Sequence, residues 1–120
     1  MRIGQLAREA GVSASRIRFY EGSGLLPPAA RATNGYRLYD ARDLKIIGFI
    51  ERAQKLGFSL KEIGAFLVAP ADQRSAQALT PRLEAKLAEI DDHIREAKAR
   101  RREIARLIVE LRPGNSTRET

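Results

Sequence analysis

The sequence predicts a mainly helical protein in two parts: a helical unit carrying a small two-stranded ribbon, then one long helix. Three observations predict it. Apolar residues recur at helical spacing along most of the chain. An Asn34-Gly35 pair sits beside an alternating segment, "YRLY" at residues 36–39, which is a hairpin signal. From Leu83 to Leu111 the apolar positions repeat in steps of four and three, the pattern of a heptad seam.

The first helix is expected over residues 2–10, with Ile3, Leu6, Ala7 and Ala10 on one face. Gly11 breaks it, and Ser13 caps a second helix over 14–21 by accepting from a free backbone N–H. Gly22 and Gly24 end that helix. Leu25-Leu26 and Pro27-Pro28 follow as an extended, stiffened connector. Asn34-Gly35 then forms a tight hairpin turn, since both residues tolerate positive φ. Beyond the turn, Tyr36 and Leu38 share one strand face, and Arg37 and Tyr39 the other.

Asp40 caps a third helix over 41–56, with Leu44, Ile47, Phe49, Ile50 and Ala53 as a wide apolar face and Gly57 as its stop. Ser59-Leu60-Lys61-Glu62 is a capping box that opens a fourth helix over 60–68. Residues 1–68 therefore form one domain, and 69–74 a polar linker. The long helix takes 75–112, with Thr80-Pro81 as cap and first position, or an earlier start near Ser75. Its seam reads Leu83, Leu87, Ile90, Ile94, Ala97, Arg101, Ile104, Ile108 and Leu111. From Pro81 onward it runs about 46 Å at 1.5 Å per residue. No other predicted element is long enough to cover that stripe, so a second copy of the helix is the expected partner. Residues 113–120 read as a disordered tail.

Charge and composition narrow the function. The 120 residues carry a net charge of +7. Residues 1–67 hold 11 Lys and Arg against 6 Asp and Glu, and residues 68–120 hold 11 against 9. The cationic excess thus lies in the N-terminal half, which suits a polyanion such as nucleic acid. There is no cysteine, so no disulfide framework or thiolate metal site is expected. The lone histidine, His93, reads as a surface residue and makes no metal site by itself. No phosphate-cradling glycine loop or carboxylate cluster appears, so neither an enzyme nor a cofactor is expected. The N-terminus is charged and alternating, unlike a signal peptide, and no apolar run is long enough for a membrane. A cytoplasmic protein with no membrane partner fits these features.

Helix, glycine turn and basic helix in that order make a helix-turn-helix pattern. With Ile17 packed towards Leu6 and Val12, Ser15, Arg16 and Arg18 point outward, where guanidinium groups reach guanine edges in a major groove, and Ser13 at the helix start counts with them as a DNA-binding candidate. Tyr20 has two readings, a core ring or a hydroxyl that donates to a phosphate. Arg37 and Arg31 lie on the two arms of the ribbon, with Tyr36 beside them. The start of the fourth helix, Ser59, Leu60 and Lys61, offers free N–H groups and a cation to an anion. Arg100, Arg101 and Arg102 read as a solvated or salt-bridged face near Glu96 and Glu103.

These motifs resemble the MerR family of bacterial transcriptional regulators. "IGQLAREAGVSASRIRFYEGSGLLPP" is similar to the family's opening helix-turn-helix. "RATNGYRLYDARDL" is similar to its wing, and "IERAQKLGFSLKEIGAFL" to its second helical pair. The resemblance implies a winged helix-turn-helix domain and a homodimer joined by long helices in an antiparallel coiled coil. It also implies binding to a pseudo-palindromic promoter in double-stranded DNA, and distortion of that DNA so that RNA polymerase can use it. Position by position, it implies base reading by Arg18, a variable base-facing role for Ser15, and a phosphate contact for Tyr20. It further implies wing contacts by Tyr36 and Arg37, a basic residue before the wing at Arg31, and phosphate binding at Ser59 to Lys61. Metal- and redox-sensing members carry cysteines near the start and just after the end of the long helix. Ala76 and Leu111 stand near those places, and Pro113-Gly114 resembles a metal loop without its ligands. Thiolate sensing within this chain is excluded. Two other classes fit parts of the pattern: a coiled-coil adaptor, and an architectural protein that bends DNA with little sequence preference.

Overall fold

A computed structural model describes residues 1–114, so the expected tail lies, from residue 115 on, outside the described residues. The elements are α1 (Ile3–Ala10), α2 (Ala14–Gly22), β1 (Ala30–Arg31), β2 (Arg37–Leu38), α3 (Ala41–Lys55), α4 (Leu60–Leu67) and α5 (Ala76–Leu111). Two compact units divide between Ala78 and Leu79, and each is described by itself.

The first unit is built on caps that the sequence supplies. Gly11 adopts φ +70° after α1 and donates its N–H to the Ala7 carbonyl, a left-handed position that an L side chain resists. Ser13 Oγ accepts from Arg16 N at 3.0 Å and starts α2. Asp40 and Asp43 form a reciprocal capping box at α3, and Ser59 and Glu62 form one at α4. The sequence reading had only the second box in full, because Asp43 stands where Glu or Gln is usual.

Leu6, Ile17, Tyr20, Leu26, Ile47 and Ile50 are the fully buried centre, drawn from α1, α2, the connector and α3. Burying each aliphatic side chain contributes about 1.5–3 kcal/mol. Phe49 and Phe66 stack with ring centroids 5.4 Å apart and join α3 to α4. A Cβ on Gly64 would sit 3.3 Å from Leu25 Cδ2, so the bare backbone of α4 gives Leu25 its close seat.

Two local expectations change. The connector is an anchor as well as a stiff spacer: Leu25 and Leu26 are buried, and both amides donate to the Tyr20 carbonyl, at 2.9 and 3.1 Å. Pro27 and Pro28 stay exposed. The hairpin turn is one residue longer than a two-residue Asn-Gly turn. Thr33, Asn34 and Gly35 span it, Gly35 N donates to Ala32 O, and only Gly35 takes positive φ. This is a type I turn closed by a left-handed glycine. Asn34 instead accepts the Tyr36 N–H with its side chain at 3.2 Å.

The second unit continues α5. The helix starts at Ala76, with Ser75 Oγ accepting from Ala78 N at 3.1 Å. The earlier of the two expected starts is therefore the one adopted, and Pro81 lies inside the helix. Proline has no N–H for the carbonyl four residues back, a loss least costly close to the helix start. The heptad positions are exposed in the chain, from Ile90 at 39% to Leu111 at 80% among the large aliphatics. Ala97 and Arg101 are exposed too. Lys86–Glu89, Asp92–Arg95 and Glu103–Arg106 make i,i+3 ion pairs along the helix, so Glu103 turns to Arg106.

Truncating the connector anchor, Leu26→Ala, should cost about 2–5 kcal/mol of unfolding free energy. The exposed Pro27→Ala should stay within about 0.5 kcal/mol of the parent chain. Denaturant titration followed by circular dichroism at fixed protein concentration measures both.

Candidate nucleic-acid interface

Helix α2 divides cleanly. Ile17 and Tyr20 point into the core, while Ser15, Arg16, Arg18 and Phe19 are exposed on the other side. The adjacent aromatics part company, since successive helix positions lie about 100° apart: Tyr20 is 2% exposed and Phe19 54%. The sequence sets both aromatics beside the outward arginines, and only Phe19 stays on that side. Its exclusion from the Ile17–Tyr20 face was the available signal.

Tyr20 thus takes the core reading. Its hydroxyl donates to Glu51 Oε2 on α3, and Gln54 Oε1 lies 3.1 Å away. A hydroxyl carries one proton, and the closer Glu51 oxygen takes it. Burial, then the bond to Glu51, push the Tyr20 hydroxyl up to about 12. The other oxygen of Glu51 accepts from Arg16 Nη1 at 2.9 Å. Glu51 was absent from the sequence reading, because nothing periodic links it to Tyr20, 31 residues earlier.

The ribbon follows the same plan. β1 and β2 are antiparallel, with Ala30 opposite Leu38 and Arg31 opposite Arg37. Like charges placed directly across a ribbon destabilise it, so this register concentrates cationic charge at a small cost. Arg31 Nη1 donates to Gly35 O at 3.1 Å across the turn. Tyr39 is buried, its hydroxyl donates to Glu21 Oε1 at 2.5 Å, and Arg37 Nη1 lies 3.8 Å from the same oxygen. Burial first, and Glu21 second, raise the Tyr39 hydroxyl above its ordinary value. Arg37 and Tyr39 therefore meet at Glu21, at the end of α2. Tyr36 is half exposed, with the Arg2 guanidinium 3.9 Å above its ring. The Met1 amino group donates to Tyr39 O, and Tyr39 N to Met1 O. The start of the chain thus holds the wing's end in place.

At α4, the Ser59 hydroxyl and N–H are both engaged in the capping box with Glu62. Lys61 is exposed and Leu60 half-buried against the core. Arg100, Arg101 and Arg102 lie exposed on α5, in the other unit.

Exposed guanidinium groups on a helix-turn-helix and a wing are the parts of a DNA reader, and comparison with known proteins decides the family. The family described as "MerR HTH family regulatory protein" matches residues 1–69, and "MerR, DNA binding" matches residues 44–107. The chain belongs to the MerR family. It is a MerR-family DNA-binding transcriptional regulator, and the curated proteins it matches are regulators and not enzymes. The HTH-type transcriptional regulator CueR of Salmonella typhimurium is 35% identical over 118 residues, covering 98% of this chain and 85% of that protein. Among solved structures, the transcription regulator PbrR691 from Ralstonia metallidurans, in complex with lead(II), superposes with a TM-score of 0.77 at 31% identity, over 92% of this chain and 86% of that one. HiNmlR, a MerR family regulator lacking the sensor domain and bound to promoter DNA, gives 0.55 at 25% identity, over 90% and 77%. No helix among the described residues is long and apolar enough to cross a membrane.

The Tyr20 shift carries a pH signature. A hydroxyl that ionises later in the folded chain favours folding fully below the unfolded value near 10. That contribution is lost as pH rises through about 12. The stability gap between the parent chain and Tyr20→Phe should therefore be widest near neutrality and shrink above pH 10, as read by urea titrations at a series of pH values.

Proposed function

We propose that the chain acts as a homodimer that binds a pseudo-palindromic promoter element, one winged helix-turn-helix per half-site. One observation carries the reading. Arg31 and Arg37 face each other across a ribbon that Glu21 ties to α2, the helix presenting Ser15, Arg16, Arg18 and Phe19. Arg18 reads a base edge in the major groove, with Ser15 beside it, and Phe19 offers an apolar contact to a thymine methyl. Arg31, Arg37 and Tyr36 hold the backbone next to the groove, and Ser59 to Lys61 add a contact at the start of α4.

The seam of α5 supports the homodimer. Its apolar stripe extends over a helix of 36 residues and is exposed in the single chain. Packed against a second copy, antiparallel as the family resemblance implies, the stripe becomes a coiled-coil interface. Arg101 on that stripe costs stability, and an acidic residue of the second helix in reach of it would fix the register. The dimer bends and untwists the promoter, and so reaches RNA polymerase through the DNA. Bending a site of this length costs about 1–6 kcal/mol, which favours flexible steps at its centre. The protein works in the cytoplasm, where promoters are, with residues 1–68 and 75–112 as its DNA-binding and dimerisation parts, joined by 69–74.

Selection of binding fragments from a random duplex library, followed by sequencing, should yield two inverted half-sites. On that operator, Arg18→Ala should cost about 1–3 kcal/mol and relax the preference at one position. Arg37→Ala should weaken all sequences alike and flatten the salt dependence. Unchanged operator affinity in both variants would refute the assignment. Light scattering at micromolar concentration should give twice the 13.4 kDa chain mass, and a monomer would leave the seam of α5 without a role.

A further inference from the structure

The interface contains two carboxylates where a polyanion is to be bound. Glu51 is 21% exposed and Glu21 9% by side chain, and each sits beside an arginine that the proposed interface uses. The surroundings repeat. Tyr20 donates to Glu51, which accepts from Arg16; Tyr39 donates to Glu21, which lies beside Arg37. Both tyrosine rings are buried and both arginines are half exposed.

An ion pair between a half-exposed arginine and a largely buried carboxylate adds little net stability once desolvation of the carboxylate is counted, and a negative charge in a DNA-binding face weakens every phosphate contact near it. The glutamates oppose raw affinity, then, and their benefit lies elsewhere. A free arginine side chain samples many rotamers, an entropy that a contact with DNA must overcome unless the side chain is already held. Binding to arbitrary DNA needs only the charge, whereas reading one sequence needs the pose. A carboxylate held by a buried hydroxyl is a fixed point from which to hold it.

We propose that Glu51 is a positioning residue that clamps Arg16 to the buried hydroxyl of Tyr20, and so sets how well the chain tells its operator from other DNA, while Glu21 holds the backbone-binding Arg37 beside Tyr39 on the wing. The proposal rests on the DNA interface assigned above. Glu51 carries the sharper case, since its two oxygens serve the two partners separately.

The test compares affinities of the full chain for the selected operator and for an unrelated duplex, in the parent, Glu51→Gln, Tyr20→Phe and Arg16→Ala, with the Arg16→Ala double variants. Glu51→Gln removes the charge and keeps an acceptor for Tyr20. Tyr20→Phe releases the carboxylate and keeps the charge. In Glu51→Gln the unrelated duplex should bind as well as before or better. In both variants the operator-to-unrelated ratio should fall by about fivefold, within the coupling seen for residues of one ion-pair network, and neither change should lower it further once Arg16 is alanine. Operator and unrelated affinities that move by the same factor overturn the clamp, as does a fall in the ratio that persists in the Arg16→Ala background. Operator affinity left unchanged by Arg16→Ala itself overturns both the clamp and the role of Arg16 in the interface. A clamp that fails while Arg16→Ala still weakens binding overturns the clamp alone.

Discussion

Tyr20 is the residue on which the N-terminal unit turns. Its ring fills the space between α2 and α3, its carbonyl accepts the amides of Leu25 and Leu26, and its hydroxyl donates to Glu51. One side chain and one carbonyl thereby fix the rotation of α2, the departure of the connector and the approach of α3. Rotating α2 about its axis would break all three at once. The outward placement of Ser15, Arg16, Arg18 and Phe19 follows from the inward placement of Tyr20.

The ribbon is anchored by the same logic with different residues. Two residue pairs cannot hold a hairpin on their own in water. The wing keeps its position through Tyr39, whose ring is buried, whose hydroxyl reaches Glu21 and whose backbone pairs with Met1. Glu21 also accepts from Ala29 N at 3.3 Å, so the last turn of α2 touches both ends of the segment that leads into the wing. The exposed arginines of α2 and the ribbon stand on short elements, and the rigidity comes from contacts behind them.

Much of this was legible in the sequence, for reasons that are local. Helical spacing, Gly11, Ser13, Asp40 and the Ser59–Glu62 box each act within one or two turns of chain, and the predicted helices lie close to the observed ones. The heptad seam is likewise a property of one helix. What could not be read depends on contacts across the chain. Glu51 meets Tyr20 only because α2 and α3 pack together, and the buried role of Leu25 needs the gap left by Gly64. The turn was misjudged in length because Asn34 prefers to cap the Tyr36 amide, while Gly35 alone supplies the left-handed residue. Thr80-Pro81 offered a second, later start, and the one near Ser75 prevails because its hydroxyl caps the Ala78 amide.

The register of the wing has a last consequence. With Arg31 opposite Arg37, the ribbon holds electrostatic work that any anion seated between the two releases. An anion held between the two side chains thus relieves a repulsion that the fold itself has set, and the register makes this ribbon a better seat for an anion than an uncharged hairpin of the same shape.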